Sequence, residues 1–179
     1  MHKMFNLAGL KTLLRAAALV ALLYTNASFA AKPYSNEGIV LLQPEFLLQE
    51  RVTVDDLGNY IKAVVAAATA TLATENNLTP SAGFLVFAIR PEGTSKTWLD
   101  FNPALPAALD ARLRAALDAV PPCKTQRGVV VFAIDSSLSG ASSLQREPAP
   151  AEWKKALKTP TEKVEIAELM DRVWPGRGK

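Results

Sequence analysis

Phe84-Leu85-Val86-Phe87-Ala88-Ile89, then Pro91-Glu92-Gly93, then Lys96-Thr97-Trp98-Leu99-Asp100-Phe101 stand in the middle of the 179-residue chain, and their reading decides the fold. The first run is apolar on both alternating faces, which suits a central strand rather than an edge. Pro-Glu-Gly is turn chemistry, and the third run alternates in polarity, so the three together predict a β-hairpin. Thr97, Leu99 and Phe101 share one face of its second strand and Trp98 takes the other, either as an exposed recognition anchor or as cover for the sheet.

Upstream, Thr53-Val54-Asp55-Asp56 sets a hydroxyl cap ahead of two carboxylates, the sign of a helix start. Leu57, Tyr60, Ile61, Val64, Val65, Ala68 and Leu72 then recur at helical steps, and the pattern stops near Thr74. Downstream, Pro106 suits a first helical turn, and Leu105, Leu109, Leu113, Leu117 and Val120 form a stripe that ends at Pro121-Pro122. Val129-Val130-Val131-Phe132-Ala133-Ile134 is a further strand, apolar on both faces. Gly38-Ile39-Val40-Leu41-Leu42 is a first strand or an extended arm.

The expected fold class is therefore α+β: a two-layer domain in β-α-β-β-α-β order, with a three-stranded antiparallel sheet (84–89, 96–101 and 129–134) packed on one face by two helices. Leu57, Ile61, Val64, Val86, Leu99, Leu109, Leu113, Leu117 and Val131 are its expected core. Serine, glycine and proline dominate after Asp135, so 136–151 reads as a linker closing a domain of 31–135. The tail, 152–179, has two short helical patterns, the second placing Val164, Ala167, Met170 and Val173 on one face. A domain bounded in this way is expected to fold without its tail.

Residues 1–30 carry Lys3, Lys11 and Arg15 and no acid, then an apolar run from Ala16 to Tyr24, then Ser28 and Ala30 as small residues before Ala31. That order predicts a secretory signal peptide cleaved after Ala30, a periplasmic or secreted mature chain and no stable membrane anchor after cleavage. The leader accounts for the whole net charge of +3, because the other 149 residues hold 17 basic and 17 acidic side chains. The mature part thus has no basic excess that would favour nucleic acid.

The single histidine, His2, also lies in the leader, so triads, Cys-His dyads and imidazole metal sites cannot be assembled from the rest. Gly83 and Gly93 read as isolated turn glycines, so no phosphate loop is present. Paired carboxylates remain as chemistry, but Asp55 and Asp56, like Asp100, Asp110 and Asp135, stand beside turns or helix starts, where capping is the default role. The expectation is no catalytic residue, no metal and no cofactor. Cys123, with Lys124 and Arg127 close by, admits three readings: a reactive thiolate, a small apolar packing residue, or the link of a homodimer, with packing favoured.

The stretch 60–134 resembles the C-terminal domains of TonB and TolA. The resemblance rests on the helix ending in Asn77-Leu78-Thr79-Pro80, the strand 83–90, and the turn Pro91-Glu92-Gly93-Thr94. It continues through Asn102-Pro103-Ala104-Leu105, the helix 109–120, Pro121-Pro122 and the strand 129–134. It implies the fold above and, as a binding mode, addition of a partner strand to a sheet edge. The long linker and retained membrane helix of those proteins are not seen in this sequence, so force transmission is not implied.

The expected function is an exported, non-enzymatic module that binds an envelope protein through a sheet edge, either 96–101 or 129–134. Lys96, Trp98, Val129 and Phe132 are its candidate partner-binding residues. The alternative is a small exported inhibitor or immunity protein that offers a loop or charged patch to an envelope enzyme.

Overall fold

The computed structural model describes residues 32–159 and 162–176. The expected leader and the last residues of the tail, 177–179, lie outside the described residues. The elements run β1 (Tyr34–Leu41), α1 (Glu45–Gln49), α2 (Val54–Ala73), β2 (Ser81–Arg90), β3 (Thr94–Asn102), α3 (Ala107–Asp118), β4 (Val130–Leu138), α4 (Ala151–Ala156) and α5 (Ile166–Val173). The class is α+β, built on one antiparallel sheet.

That sheet has four strands in the order β1-β4-β2-β3. The β2–β3 hairpin pairs Val86 with Trp98 and Leu85 with Leu99, and Gly93 takes a positive φ of 72° in its turn. Gly83, read as a turn glycine, instead lies inside β2. A Cβ there would come within 2.3 Å of the Asp100 carbonyl oxygen and 2.5 Å of the Phe101 Cα, so only glycine lets β3 approach this closely.

The run at 38–42 belongs to a strand that starts earlier, at Tyr34, and a bulge at Glu37 separates its halves. The extra residue shifts the side-chain phase by one. Tyr34 before the bulge and Ile39 and Leu41 after it consequently point to the same side, which hides the strand from a period-two reading.

The helices on the first face match their sequence signals. The Thr53 side chain accepts from the Asp56 amide at 3.1 Å, capping α2. From α2, Tyr60, Val64, Ala68 and Leu72, and from α3, Leu109, Leu113 and Leu117, pack on Leu85, Phe87, Ile89, Val130, Phe132 and Ile134. Tyr60 meets Phe87 and Phe132 edge-on, with centroids 6.0 and 6.3 Å away.

The second face corrects the two-layer expectation. Phe84, Val86, Ala88, Trp98, Val131 and Ala133 form a separate cluster there with Trp153, Leu169 and Met170 of the tail. Val86 and Val131 are therefore core residues on the face opposite Leu113. The stretch 136–151 is likewise not simply a linker, because β4 continues to Leu138 and buries Ser136 and Ser137. Hydroxyls satisfy their buried positions: Ser137 donates to Glu37 at 2.6 Å, and Ser136 to the Ile134 carbonyl at 3.1 Å. A low-apolar composition there reflects small side chains in a strand, and the tail that follows covers an apolar face of the sheet.

Candidate functional site

The two central strands, β4 and β2, use both backbone edges, which leaves only β1 and β3 with an outer side. The candidate edge at 129–134 is thus not an edge. Val129 and Phe132 are buried, Phe132 stacked on Phe87 with centroids 5.3 Å apart. Apolarity on both faces marks an inner strand, and that signal was already in the run itself.

β3 is an edge, but the chain's own side chains occupy it. Arg114 donates to the outward Thr97 carbonyl at 2.7 Å. Lys96 and the Trp98 indole N–H both donate to Glu152, at 2.8 and 2.9 Å, and the Lys96 ammonium also sits over the Trp98 ring. Trp98 is only 2% exposed. Two of the four candidate partner residues thus come together at one place, where α4 takes their bonding capacity.

The carboxylate candidates are engaged structurally. Asp100 and Asp135 flank Phe84 on neighbouring strands of the tail-covered face. Asp100 accepts from both terminal nitrogens of Arg146, at 2.6 and 2.9 Å, and from the Ala149 amide at 2.8 Å. Burial pushes its carboxyl up, but the Arg146 bonds and the Ala149 amide outweigh this and hold it below the ordinary carboxylate range. Asp135 accepts from Ser143, and Asp110 pairs with Arg114 one helical turn on. Neither arrangement provides an acid and a base facing a common cavity. Among the described residues no group of three or more histidine, cysteine, aspartate and glutamate side chains is placed to hold a metal ion.

Cys123 is half-buried, and burial, with Asp56 nearby, pushes its thiol up to about 11. The two cations beside it in sequence do not produce a thiolate, so of the three readings the packing one is supported.

β1 is the other edge, and like β3 it has no strand on its outer side among the described residues; what lies along it is apolar rather than charged. After the bulge, Ile39 and Leu41 stand on the helix side of this edge, 39% and 47% exposed, and lead into a groove of about 250 Å³ between β1, α1 and α2. Leu41, Leu48, Val52, Val54, Leu57 and Ile61 line it. Phe46 on α1 and Val54 at the start of α2 are more exposed still, at 62% and 77%. The exposed large apolar side chains of the described chain thus gather along one edge, and such a patch marks a binding surface.

The floor of the groove has one feature that stability alone does not explain. Gly58 lies inside α2, where glycine costs about 1 kcal/mol relative to alanine. Nothing lies within 4 Å of where its Cβ would be, so no packing demand excludes a side chain. Its effect is to keep the groove open. The sequence reading missed this site because the bulge masks β1, α1 is only five residues long, and a lone helical glycine has no motif.

Comparison with family models, curated proteins and solved structures finds no match to this chain. Among the described residues no helix is long and apolar enough to cross a membrane.

Proposed function

We propose that the chain is an exported, periplasmic, non-enzymatic binding module that takes an extended segment of an envelope protein as an added strand along β1. The observation that carries this reading is the pairing of an unpartnered strand edge with an apolar groove beside it. The edge supplies amides and carbonyls for affinity, and the groove receives every second side chain of the incoming strand for selectivity. The resemblance to TonB and TolA C-terminal domains agrees with this mode of contact, although the edge proposed is β1 rather than β3 or β4. Export rests on the order of charge, apolar run and small residues in 1–30. Mass measurement of the periplasmic form should find Ala31 at its start, and an intact chain would count against it.

The edge is tested with Ile39→Pro and Val40→Pro. In an antiparallel strand neighbouring amides point to opposite sides, so one proline removes an outward donor and the other breaks the β1–β4 ladder. The variant that keeps the parent melting temperature should lose its partner in crosslinking from Leu41, with the partner identified by mass spectrometry. Retained capture by that variant, or crosslinks confined to loops away from β1, would instead favour an inhibitor that presents a loop to an enzyme.

A further inference from the structure

We infer that the segment received along β1 is cationic: apolar residues at alternate positions, flanked by lysine or arginine. This rests on the edge reading above and adds the chemistry of the occupant.

Charge is unevenly divided along the chain. The helices that build the groove, within 45–62, carry Glu45, Glu50, Asp55 and Asp56 against Arg51 and Lys62. Residues 63–179 carry fourteen cations against twelve acids. Arg51 does not neutralise the rim, because its guanidinium turns inward and donates to the Val129 carbonyl at 2.7 Å.

The ion pairs of the described residues repeat this division. All seven lie elsewhere, joining Arg90, Lys96, Arg112, Arg114, Arg146 and Arg172 to acids outside the rim. Glu45, which lines the groove, and Glu50 and Asp55, next in sequence to its lining residues, take part in none of them. Glu50 and Asp55 are exposed.

An apolar groove bordered by carboxylates without cationic partners is complementary to a strand that brings apolar side chains and its own cations. The bulge at Glu37 interrupts the flat strand that edge-to-edge pairing of two copies of this chain would need. Gly58 leaves room for the apolar side chains.

The test uses the mature chain and three labelled peptides with one core of alternating valine and threonine, flanked by lysine pairs, serine pairs or glutamate pairs. Fluorescence anisotropy at low salt should find the lysine-flanked peptide bound roughly tenfold tighter than the glutamate-flanked one, the equivalent of a few exposed ion pairs. At about 0.5 M salt, where screening reaches within a few ångströms, the difference should collapse. The double variant Glu45→Lys, Glu50→Lys changes two exposed side chains and should reverse the preference. Gly58→Leu, whose Cβ would meet nothing within 4 Å, should keep the fold and lose all three peptides. Equal binding of the three peptides, abolished by Gly58→Leu, would leave the edge reading standing and overturn the cationic occupant. Failure of the folded parent chain to bind any peptide would overturn both.

Discussion

The indole of Trp98 on β3 meets the indole of Trp153 on α4 edge-on, with ring centroids 5.5 Å apart and planes at 75°. Trp98 donates its N–H to Glu152, the residue before Trp153, so one contact joins aromatic packing to a charge-assisted bond. This pair fastens the tail to the sheet.

Trp153→Ala should therefore lower unfolding free energy by about 3 to 5 kcal/mol, read from the urea midpoint. Ending the chain after Gly140 should go further. It uncovers Phe84, Val86, Ala88, Val131 and Ala133 together, and the product should bind a hydrophobic dye and self-associate. A soluble, cooperatively unfolding 31–140 fragment would refute the second core.

Acid should loosen the same face. Lys96 bonds to Glu152 and holds its carboxyl below the ordinary range against the opposing pull of burial, with Trp98 adding to the effect, and Asp100 lies below its ordinary range as well. Carboxyls that titrate lower in the folded chain contribute stability that is complete above their unfolded values, about 4, and is lost as pH falls through the folded ones. All three tryptophans belong to this face, with Trp174 under the Arg90 guanidinium at 4.9 Å. Tryptophan emission should shift to the red below about pH 4, and Asp100→Asn should lower stability at neutral pH and weaken its dependence on acid.

Gly83→Ala should be costly for a reason unrelated to turn geometry. Its Cβ meets backbone atoms of Asp100 and Phe101, which cannot move aside as a flexible side chain would. A loss of about 3 kcal/mol is expected, with β2–β3 amides exchanging faster than those of β1–β4. An unchanged melting temperature would mean that β3 can retreat from β2.

Much of this architecture was legible because it rests on local periodicity. The Thr53 cap, the leucine stripe of α3 and the 84–101 hairpin each declare themselves within a dozen or so residues. What was not legible depends on residues far apart. Whether Trp98 is a partner's anchor or the tail's depends on Glu152 and Trp153, more than fifty positions away, and sequence alone left both roles open. Val129 and Phe132 carried their own evidence, since a run apolar on both faces is an inner strand, yet placing them there requires β1. The serines at 136 and 137 look like linker until Glu37 and Tyr34 are set beside them. The groove is the hardest part to foresee, because its walls come from β1, α1 and α2 together and part of its lining is a glycine with no side chain to read.

Cys123 should be a slow thiol. With its ionisation pushed up to about 11, roughly one molecule in a thousand is a thiolate at pH 8. Reaction with a disulfide reagent should be sluggish at pH 8 and accelerate as pH rises toward 11. Asp56→Asn removes a negative charge that opposes ionisation, so it should shift the profile to lower pH. Fast labelling at pH 7 would restore the reactive reading.

Leu113 and Met170 provide the last prediction, because they lie on opposite faces of one sheet and are both fully buried. Leu113 belongs to the cluster under α2 and α3, and Met170 to the cluster under the tail. The strands between them alternate: Leu85, Phe87 and Ile89 of β2 point to the first cluster, and Phe84, Val86 and Ala88 to the second. Loss of packing on either side therefore loosens the same backbone. Leu113→Ala and Met170→Ala should each cost about 2 to 5 kcal/mol. In both variants helix ellipticity and tryptophan emission should follow one transition. If Met170→Ala moved the tryptophan signal to lower urea and left the ellipticity curve in place, the tail would be an independently melting layer and the 31–135 boundary would regain its physical basis.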